Sequence, residues 1–434
     1  MAAMHGGAGC VAAVALFAAS CGTAPAEPAR NLVLISIDTL RADRLGSYGY
    51  DRGTSPELDA FAERGALFED VVTECSWTLP AHMTMLSGLA PPQHGVIRPE
   101  LGLGAGTELL AQRLAAAGFR TFGATEGGFV SRRYGFARGF ERFDDEQTSL
   151  AESLTDARAF LVRMRREGAA RSFLFVHTFA VHCPYEPDPA TAALFHSPDA
   201  EPVETAGRCG NPDFNHMELT VGEIRTISDL YDAEIRDADA VLGEFLRWLD
   251  AEGFAETTLV VVTSDHGEEF GEHGRIGHEG TLHREVLGVP LILVGPGIPH
   301  GRFDRPAGLA SIVPTLLAAL GLPSGGPSLF DDQARAVSER FSSISWKGRA
   351  VSVVTEEWHL ILDEENGEVR LYRRADVGEE VDLARSRPDL VADLRACAEA
   401  YAASRRVENA VLLDAPNPRE RVRLGELGYA EGGD

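Results

Sequence analysis

A chain of 434 residues is long enough to form one large α/β domain with a smaller appendage, or two ordinary domains. Its 40 basic and 66 acidic side chains give a formal net charge of −26, which argues against nucleic acid as a partner. The same charge repels a phosphate- or sulfate-bearing substrate at long range, so the binding site of such a substrate must itself supply cations.

The first thirty residues carry the pattern of an export signal rather than of a folded domain. An apolar run at Cys10–Ser20 is too short to span a bilayer, and Ala19-Ser20-Cys21 is similar to the end of a bacterial lipobox. We therefore expect residues 1–30 to be a signal and tether, with the mature protein held in the bacterial cell envelope by a lipid on Cys21. Cleaved secretion to the periplasm or the extracellular medium, and a start codon assigned too far upstream, are the alternatives.

Strands and helices then alternate along the chain. In chain order, the apolar patterns predict a strand at Asn31–Asp38, a helix at Pro56–Arg64, a helix at Thr107–Ala117, a strand at Arg120–Thr125, a strand at Ser172–Thr178 and a long amphipathic helix at Val221–Leu249. This alternation predicts a mostly parallel sheet that is covered by helices on both faces.

The polar stretch Pro184–Asp213 is predicted to be a long irregular insertion. It follows His182, and long loops in compact domains are commonly functional, so we expect it to form a wall of the substrate pocket. In an oxidising compartment Cys183 and Cys209 could form a disulfide across this loop.

The pattern changes at a Gly/Pro-rich connection, Gly321–Gly326. Beyond it, three short β-like segments precede one helix: Ala350–Thr355, His359–Leu362, Val369–Arg373 and the helix Pro388–Ala403. We therefore divide the chain into residues 1–30, a catalytic domain at 31–325, and a small α+β subdomain with its tail at 326–434.

The segment Leu259–Leu293 contains the densest group of chemically active residues. A β-branched run ends in Ser264-Asp265-His266-Gly267, and a loop rich in Glu and His separates it from a second apolar run. A buried strand would thus carry an oxygen and an imidazole ligand to its carboxyl end, where open α/β sheets bind their ligands. Asp38 ends the first strand in the same way. A solvated acidic loop is the alternative.

The segment Ser76–Gly88 predicts a helix with Thr78 at the N-cap position and Pro80 in the first turn. Capping is the simple interpretation of Thr78. Taken together, however, DTLRADRLGSYGY, TLPAHMTMLSGLAPPQHGV, HTFAVHCPYEP and TSDHGEEFGEHG resemble the sulfatase family of the alkaline phosphatase superfamily. The resemblance runs from Asn31 to Leu320, and Gly367–Leu383 resembles the C-terminal subdomain of that family.

The resemblance implies an α/β fold with a large, mostly parallel sheet sandwiched by helices and a small C-terminal α+β subdomain. It also implies one divalent metal ion, Ca, Mn, Mg or Zn, and an anionic ester substrate. Its implied site consists of the metal ligands Asp38, Asp265 and His266, the nucleophile Thr78, which also touches the metal, and the substrate-binding residues His82, His182 and His278. His182 and His278 could also protonate the leaving group.

Two departures from the family pattern bear on the reaction. Sulfate-cleaving members carry C-x-P-x-R, or its Ser equivalent, whose first residue is converted to formylglycine; Thr78 cannot be converted, and Cys75 stands three residues too early. Thr39 occupies a position where many two-acid calcium sites have a second Asp. Because a Thr ester must be released by attack of water, we favour phosphate mono- and diesters over sulfate esters.

Three other functions stay open at this point: sulfatase activity, transfer of lipid head groups, and a catalytically silent binding protein. We interpret His273 and His283, in the loop after His266, as residues that support the ligands or lie on the surface.

Overall fold

The computed structural model describes residues 28–203, 219–278, 280–331 and 339–427. Its strands are β1 (Asn31–Ile37), β2 (Ala66–Phe68), β3 (Leu101–Leu103), β4 (Arg120–Ala124), β5 (Arg142–Asp144), β6 (Ser172–Thr178), β7 (Thr258–Thr263), β8 (Glu269–Phe270), β9 (Ile276–Gly277), β10 (Leu291–Val294), β11 (Gly301–Phe303), β12 (Arg340–Ile344), β13 (Ala350–Val354), β14 (Trp358–Asp363), β15 (Val369–Arg373) and β16 (Ala410–Leu412). Its α-helices are α1 (Pro56–Ala62), α2 (Thr78–Ser87), α3 (Pro91–His94), α4 (Leu110–Ala116), α5 (Leu150–Arg166), α6 (Pro189–Phe195), α7 (Val221–Ala251), α8 (Arg284–Leu287), α9 (Ile312–Ala319), α10 (Pro388–Ala403) and α11 (Pro418–Glu426).

The large sheet has eight strands in the order β11-β2-β10-β7-β1-β6-β4-β5. Strand β1 lies near its middle and runs parallel to both neighbours, so that Asn31 is paired with Ser172 of β6 and with Thr258 of β7. Strand β10 runs antiparallel to β2 and β7. The predicted fold class, a large and mostly parallel sheet, is therefore confirmed.

Helices cover both faces of this sheet. Successive side chains of a strand point to opposite faces, so Leu32 and Leu34 of β1 pack in one apolar cluster whereas Val33 and Ile35 pack in the other. Helix α2 contributes to the first cluster, and α5 and α7 contribute to the second. The strands are thus apolar on both faces, which explains the continuous apolar runs in the sequence.

The C-terminal part forms an antiparallel sheet in the order β12-β13-β14-β15, against which α10 packs. Strand β12 also joins the large domain, since Ser342 Oγ donates to the carbonyl of Thr73 (2.6 Å) and Ser343 N donates to the carbonyl of Glu74 (3.0 Å). Strand β16 pairs with β3 of the large domain. The C-terminal sheet is therefore held directly against the segment that leads into α2.

Several predicted boundaries were wrong. The helix predicted from Thr107 begins at Leu110, and β12 was missed because its central residues, Ser342 and Ser343, interrupt the apolar pattern. The stretch predicted to be irregular contains helix α6, while residues 204–218 of it lie outside the described residues. Across the described ranges, none of the helices is both long enough and apolar enough to cross a bilayer.

Candidate active site

The site forms where β1 and β7 end side by side. Because these strands are parallel and in register, Asp38 after β1 and Asp265-His266 after β7 emerge at the same edge of the sheet. All three residues are fully buried, and their potential ligand atoms lie within 4.8 Å of one another. The structure thus brings together the three residues that the resemblance implies as metal ligands.

Each of the two carboxylates is held by protein contacts through one oxygen. Asp265 Oδ1 accepts from the backbone N–H of His266 (2.9 Å) and of Thr39 (3.3 Å), and Asp38 Oδ2 lies 3.1 Å from His177 Nε2. The other oxygens, Asp38 Oδ1 and Asp265 Oδ2, are buried and have no hydrogen-bond partner among the described residues. Burial, and next the charge of Asp265, raises the pKa of Asp38 well above its usual value.

The imidazole of His266 has a defined tautomer. Its Nδ1 donates to the carbonyl of Gly267 (3.0 Å), so Nε2 keeps its lone pair and points toward the acids, 3.2 Å from Asp265 Oδ2. Burial lowers the pKa of His266 well below its usual value, which keeps the ring neutral. Two unpaired carboxylate oxygens and a neutral imidazole nitrogen suit one divalent cation, so the residues present fit the implied metal.

Thr78 is the first residue of α2 and is not its N-cap. Trp77 occupies the cap position in an extended conformation, so the interpretation of Thr78 as a capping residue was wrong. The Thr78 hydroxyl lies instead 3.4 Å from His266 Nε2, and its interaction with Asp38 partly offsets the rise in the pKa of that carboxylate. This places the hydroxyl at the positive end of a ten-residue helix, beside the acid pair.

His82 lies one helical turn after Thr78 and is fully buried. Its Nδ1 donates to the carbonyl of Thr78 (2.9 Å) and lies 3.4 Å from Asp265 Oδ2, while its Nε2 lies 3.0 Å from Ser36 Oγ. Burial lowers the pKa of His82. Both ring nitrogens are thus engaged by the protein behind Thr78, and an anion-binding role for His82 stays a prediction.

His182 and His278 are slightly less buried than the other histidines of the site, with 6% and 8% of their surface exposed. Their ring centres are 5.2 Å apart, and the ring of His278 is 4.4 Å from that of His266. His182 Nδ1 donates to the carbonyl of Cys183 (2.6 Å), and His278 Nδ1 lies 3.0 Å from Glu268 Oε1. Burial lowers both pKa values to about 3, so both rings are neutral at physiological pH.

Several residues that build this site have no role that the sequence alone predicts. His177 contacts Asp38 from within β6, and its ring centre is 4.7 Å from that of His82. Glu268 links His278 to Tyr185, whose hydroxyl donates to Glu268 Oε2 (3.0 Å). His177 is the one imidazole in the buried strand β6, and this feature of the sequence could have identified it as a site residue.

The loop histidines after His266 lie in a different cluster. The rings of His273 and His283 are stacked with their centres 3.6 Å apart, and they contact Glu285 and Glu379 respectively. His283 is buried, so it is not a surface residue. Both contact acids other than Asp38 and Asp265.

Three further residues bear on the departures from the family pattern. The Thr39 hydroxyl donates to the carbonyl of Val181 (3.0 Å), away from the acid pair. The thiol of Cys75 is free and buried, and burial raises its pKa far above the usual range. Cys183 is disulfide-bonded, whereas its predicted partner Cys209 lies outside the described residues.

Comparison with known proteins identifies the family of this chain. The Sulfatase family model matches residues 30–322. PehA, a multifunctional alkaline phosphatase superfamily protein from Trinickia caryophylli, is 24% identical over 382 residues, which cover 67% of this chain and 74% of PehA. Arylsulfatase K from Danio rerio is 37% identical over 113 residues, but the match covers 25% of this chain and 21% of that protein.

The crystal structure of phosphonate monoester hydrolase from Agrobacterium radiobacter has a TM-score of 0.68 and 19% identity, and the match covers 90% of this chain and 100% of that chain. Since the family model matches more than half of the sequence, the protein belongs to the sulfatase family.

Proposed function

We propose that the protein is a metal-dependent hydrolase of phosphate mono- and diesters that uses Thr78 as its nucleophile. One observation carries this proposal: the Thr78 hydroxyl lies 3.4 Å from His266 Nε2, at the positive end of α2 and beside the acid pair. A hydroxyl in this position can attack a phosphoryl group whose oxygens face the same helix end.

Asp38, Asp265 and His266, with the Thr78 hydroxyl, would hold the metal. When bound, a divalent cation neutralises the oxygens of the transferred group and lowers the pKa of a contacting hydroxyl. The protein contributes rigidity, because each of the three ligands is fixed by a further contact: His177 on Asp38, Thr39 N on Asp265, and the Gly267 carbonyl on His266.

The second half-reaction requires a base for the attacking water. His278, whose Nδ1 is held by Glu268, would take a proton from this water once the negative charge of the bound phosphoryl group raises its pKa from about 3. In this step a water oxygen bonds to phosphorus and the bond to Thr78 Oγ breaks. The imidazole takes one proton from the attacking water and returns it to the departing Thr78 oxygen, so that the Thr78 hydroxyl is restored. His182, with Nδ1 fixed on the Cys183 carbonyl, lies beside His278, with the ring centres 5.2 Å apart.

The residue types favour phosphorus over sulfur as the central atom. A formylglycine hydrate can expel sulfate by collapsing to the aldehyde, whereas Thr78 has no such route and its ester must be cleaved at the central atom. Cys75 is no substitute, because its buried thiol has a raised pKa and lies three residues before Thr78. Sulfate ester hydrolysis is the second candidate, since one relative is an arylsulfatase.

A comparison of matched chromogenic esters tests the proposal. The protein loaded separately with Ca²⁺, Mn²⁺, Mg²⁺ or Zn²⁺ is assayed with p-nitrophenyl phosphate, bis(p-nitrophenyl) phosphate and p-nitrophenyl sulfate. We expect the highest kcat/KM for one of the two phosphorus esters and loss of turnover after chelation. A higher kcat/KM for the sulfate would replace the proposal with the second candidate.

We also propose that the mature protein is a lipoprotein of the bacterial cell envelope, anchored through Cys21, as the lipobox-like end of the apolar run indicates. Cys21 lies outside the described residues. The wild type should then sediment with membranes, and Cys21→Ser should appear in the soluble fraction. A mature N-terminus at any residue other than Cys21, read by mass spectrometry, would contradict the anchor.

A further inference from the structure

A buried carboxylate that the proposed reaction does not use lies beside the site. Glu126 follows β4, which runs parallel to β6 and pairs Ala124 with Val176, so Glu126 reaches the edge of the sheet at which β6 ends. The side chain is buried, and burial raises its pKa. A carboxylate in such a position needs contacts that compensate for the water it has lost.

These contacts lie on the segment that follows β6. Glu126 Oε1 accepts a hydrogen bond from the Thr178 hydroxyl (2.5 Å), and Glu126 Oε2 accepts from the backbone N–H of Phe179 (3.3 Å). Thr178 Oγ1 in turn accepts from the N–H of Ala180 (3.2 Å). The three hydrogen bonds fix the backbone where the chain turns from β6 toward His182.

Phe179 joins this turn to His182 through two contacts. The carbonyl of Phe179 accepts from the backbone N–H of His182 (2.9 Å). The Phe179 ring meets the His182 ring edge-on, with the centres 5.3 Å apart, and meets the His177 ring in the same way at 4.6 Å. Phe179 therefore lies between the implied substrate-binding histidine and the histidine that contacts Asp38.

Helix α11 covers the other side of Glu126 and Phe179. Arg423 Nε donates to the carbonyl of Glu126 (2.9 Å), its Nη2 lies 3.9 Å from Glu126 Oε2, and its Cζ lies 5.9 Å from the centre of the Phe179 ring. Leu427, directly after α11, is buried. Its Cδ1 lies 2.6 Å, and Phe179 Cζ 3.3 Å, from the position that a β-carbon would take at Gly128. Leu427 and Phe179 thus pack against the same glycine.

We propose that Glu126, held by Arg423 of α11, is a positioning residue that sets the orientation of His182 through Phe179. An imidazole that is already held in one orientation does not have to be ordered when the ester binds. The inference rests on the proposed function, since it takes His182 as a residue that binds the ester. It also gives α11 a part in the reaction, although this helix lies outside residues 30–322, which the family model matches.

A double-mutant cycle gives the first test. In the metal-loaded protein, Glu126→Ala should lower kcat/KM for the preferred ester by about 10- to 100-fold, the range for removing a residue that orients an active-site group. In a His182→Ala background the same substitution should change kcat/KM by less than about threefold, because no imidazole is left to orient. An equal loss in both backgrounds, or no loss in the wild type, would overturn the proposal.

A matched control separates this role from a loss of stability. Asp239 is a buried carboxylate of α7 that accepts from the backbone N–H groups of Glu57 (2.9 Å) and Leu58 (2.8 Å) at the start of α1. Asp239→Ala should lower the unfolding temperature, as Glu126→Ala does, but leave kcat/KM unchanged. Glu126→Gln, which keeps one acceptor oxygen, should retain part of the activity. If Asp239→Ala lowers kcat/KM as much as Glu126→Ala, Glu126 acts through stability and the proposal fails.

Two further substitutions test the contacts on either side of Glu126. Arg423→Met should lower kcat/KM by up to about fivefold, since the arginine is partly exposed, and Arg419→Met, which removes an exposed arginine of the same helix, should not. Equal values for these two variants would overturn the part assigned to α11. If Glu126→Ala does not fold, Phe179→Leu takes its place in the cycle, because it removes the ring edge and keeps an apolar side chain. Its effect should likewise be lost in the His182→Ala background.

Histidine NMR reports on His182 without turnover. In metal-loaded protein with ¹⁵N-labelled histidine rings, the His182 signals are assigned by their loss in His182→Ala. They should shift and broaden in Glu126→Ala and stay unchanged in Asp239→Ala. Unchanged His182 signals in Glu126→Ala would contradict the proposal. Absence of turnover with any ester would instead reject the proposed function, because the NMR measurement needs no substrate.

Discussion

Two of the histidine–carboxylate clusters among the described residues share no member, and they differ in how their charges are balanced. The catalytic cluster consists of Asp38, Asp265 and His266; the Glu379 cluster consists of His273, His283 and Glu379. In each cluster the potential ligand atoms lie within 4.8 Å of one another, so proximity alone does not separate a metal site from an ion-pair network.

The difference lies in the ratio of acids to imidazoles. Glu379 is shared by two rings, His283 Nδ1 at 2.8 Å and His359 Nδ1, and although burial opposes it, these rings hold the pKa of Glu379 well below its usual value. In the catalytic cluster, burial and a second carboxylate raise the pKa of Asp38. The Glu379 carboxylate is hydrogen-bonded to two imidazoles of the protein, whereas the catalytic carboxylates keep unpaired oxygens that suit a cation from outside.

The largest effect is expected from Asp265→Ala, which removes one of the two carboxylates of the catalytic cluster. We expect it to abolish metal binding and to lower kcat/KM by about 1000-fold or more, the equivalent of the several kcal/mol that a bound metal contributes. The fold should stay intact, because the carboxylate contributes charge repulsion rather than stability to the metal-free protein. Metal content is measured by mass spectrometry and activity with the preferred ester. Asp250→Ala, which removes an exposed carboxylate paired with Arg64, is the control and should change neither quantity.

The converse substitution is Glu379→Gln, which should affect stability and not metal content. Loss of the charge shared by His283 and His359 should lower the free energy of unfolding by about 1–3 kcal/mol at neutral pH. Chemical denaturation of the metal-loaded protein measures this. A lowered metal content with unchanged stability would mean that the Glu379 cluster, too, binds a cation.

The pH dependence of that stability difference has a defined sign. Because the folded pKa of Glu379 lies below its ordinary value of 4.5, its contribution is fully present above that value and is lost as the pH falls through the folded pKa. The difference in unfolding free energy between wild type and Glu379→Gln should therefore be constant near neutral pH and shrink below about pH 4.5. If this difference grew as the pH fell, folding would not stabilise the charged form of Glu379, contrary to the lowered pKa.

The smallest expected effect concerns the metal-free protein. A raised folded pKa at Asp38 means that stability present at low pH is lost as the pH rises above the ordinary value of 3.8. Asp38→Asn should therefore raise the unfolding temperature of the chelated protein at pH 7 by a few degrees, about 1 kcal/mol in a domain of this size. Metal should stabilise the wild type but not this variant, as differential scanning calorimetry would show.

The features that the sequence predicted are those that depend on local pattern. The apolar runs of β1, β6 and β7 identify buried parallel strands without any knowledge of their partners, and Asp38 and Asp265-His266 stand directly at the strand ends. A residue that ends such a strand can go only to one edge of the sheet, so the ligand set followed from the strand pattern and the resemblance together.

The features that the sequence did not predict depend on contacts between distant segments. The sequence predicts only that His177 belongs to a buried strand. The pairing of β1 with β6 then places His177 beside Asp38. Trp346 lies 269 residues beyond Trp77, and only the packing of the C-terminal sheet against the large domain brings their rings together. Thr78 was placed one position too early, at the N-cap, because the sequence does not show that Trp77 supplies the extended residue before the helix.

Trapping of the covalent intermediate tests the central claim most directly. Metal-loaded protein is mixed with the preferred phosphate ester, quenched in acid within the first turnover, digested and examined by tandem mass spectrometry. We predict a phosphoryl adduct on Thr78, absent from Thr78→Ala, which should lose nearly all turnover while it still binds metal; Thr78→Ser should form the adduct and keep part of the activity. An adduct on Cys75, or full phosphodiesterase activity in Thr78→Ala, would contradict the assignment of Thr78 as the nucleophile.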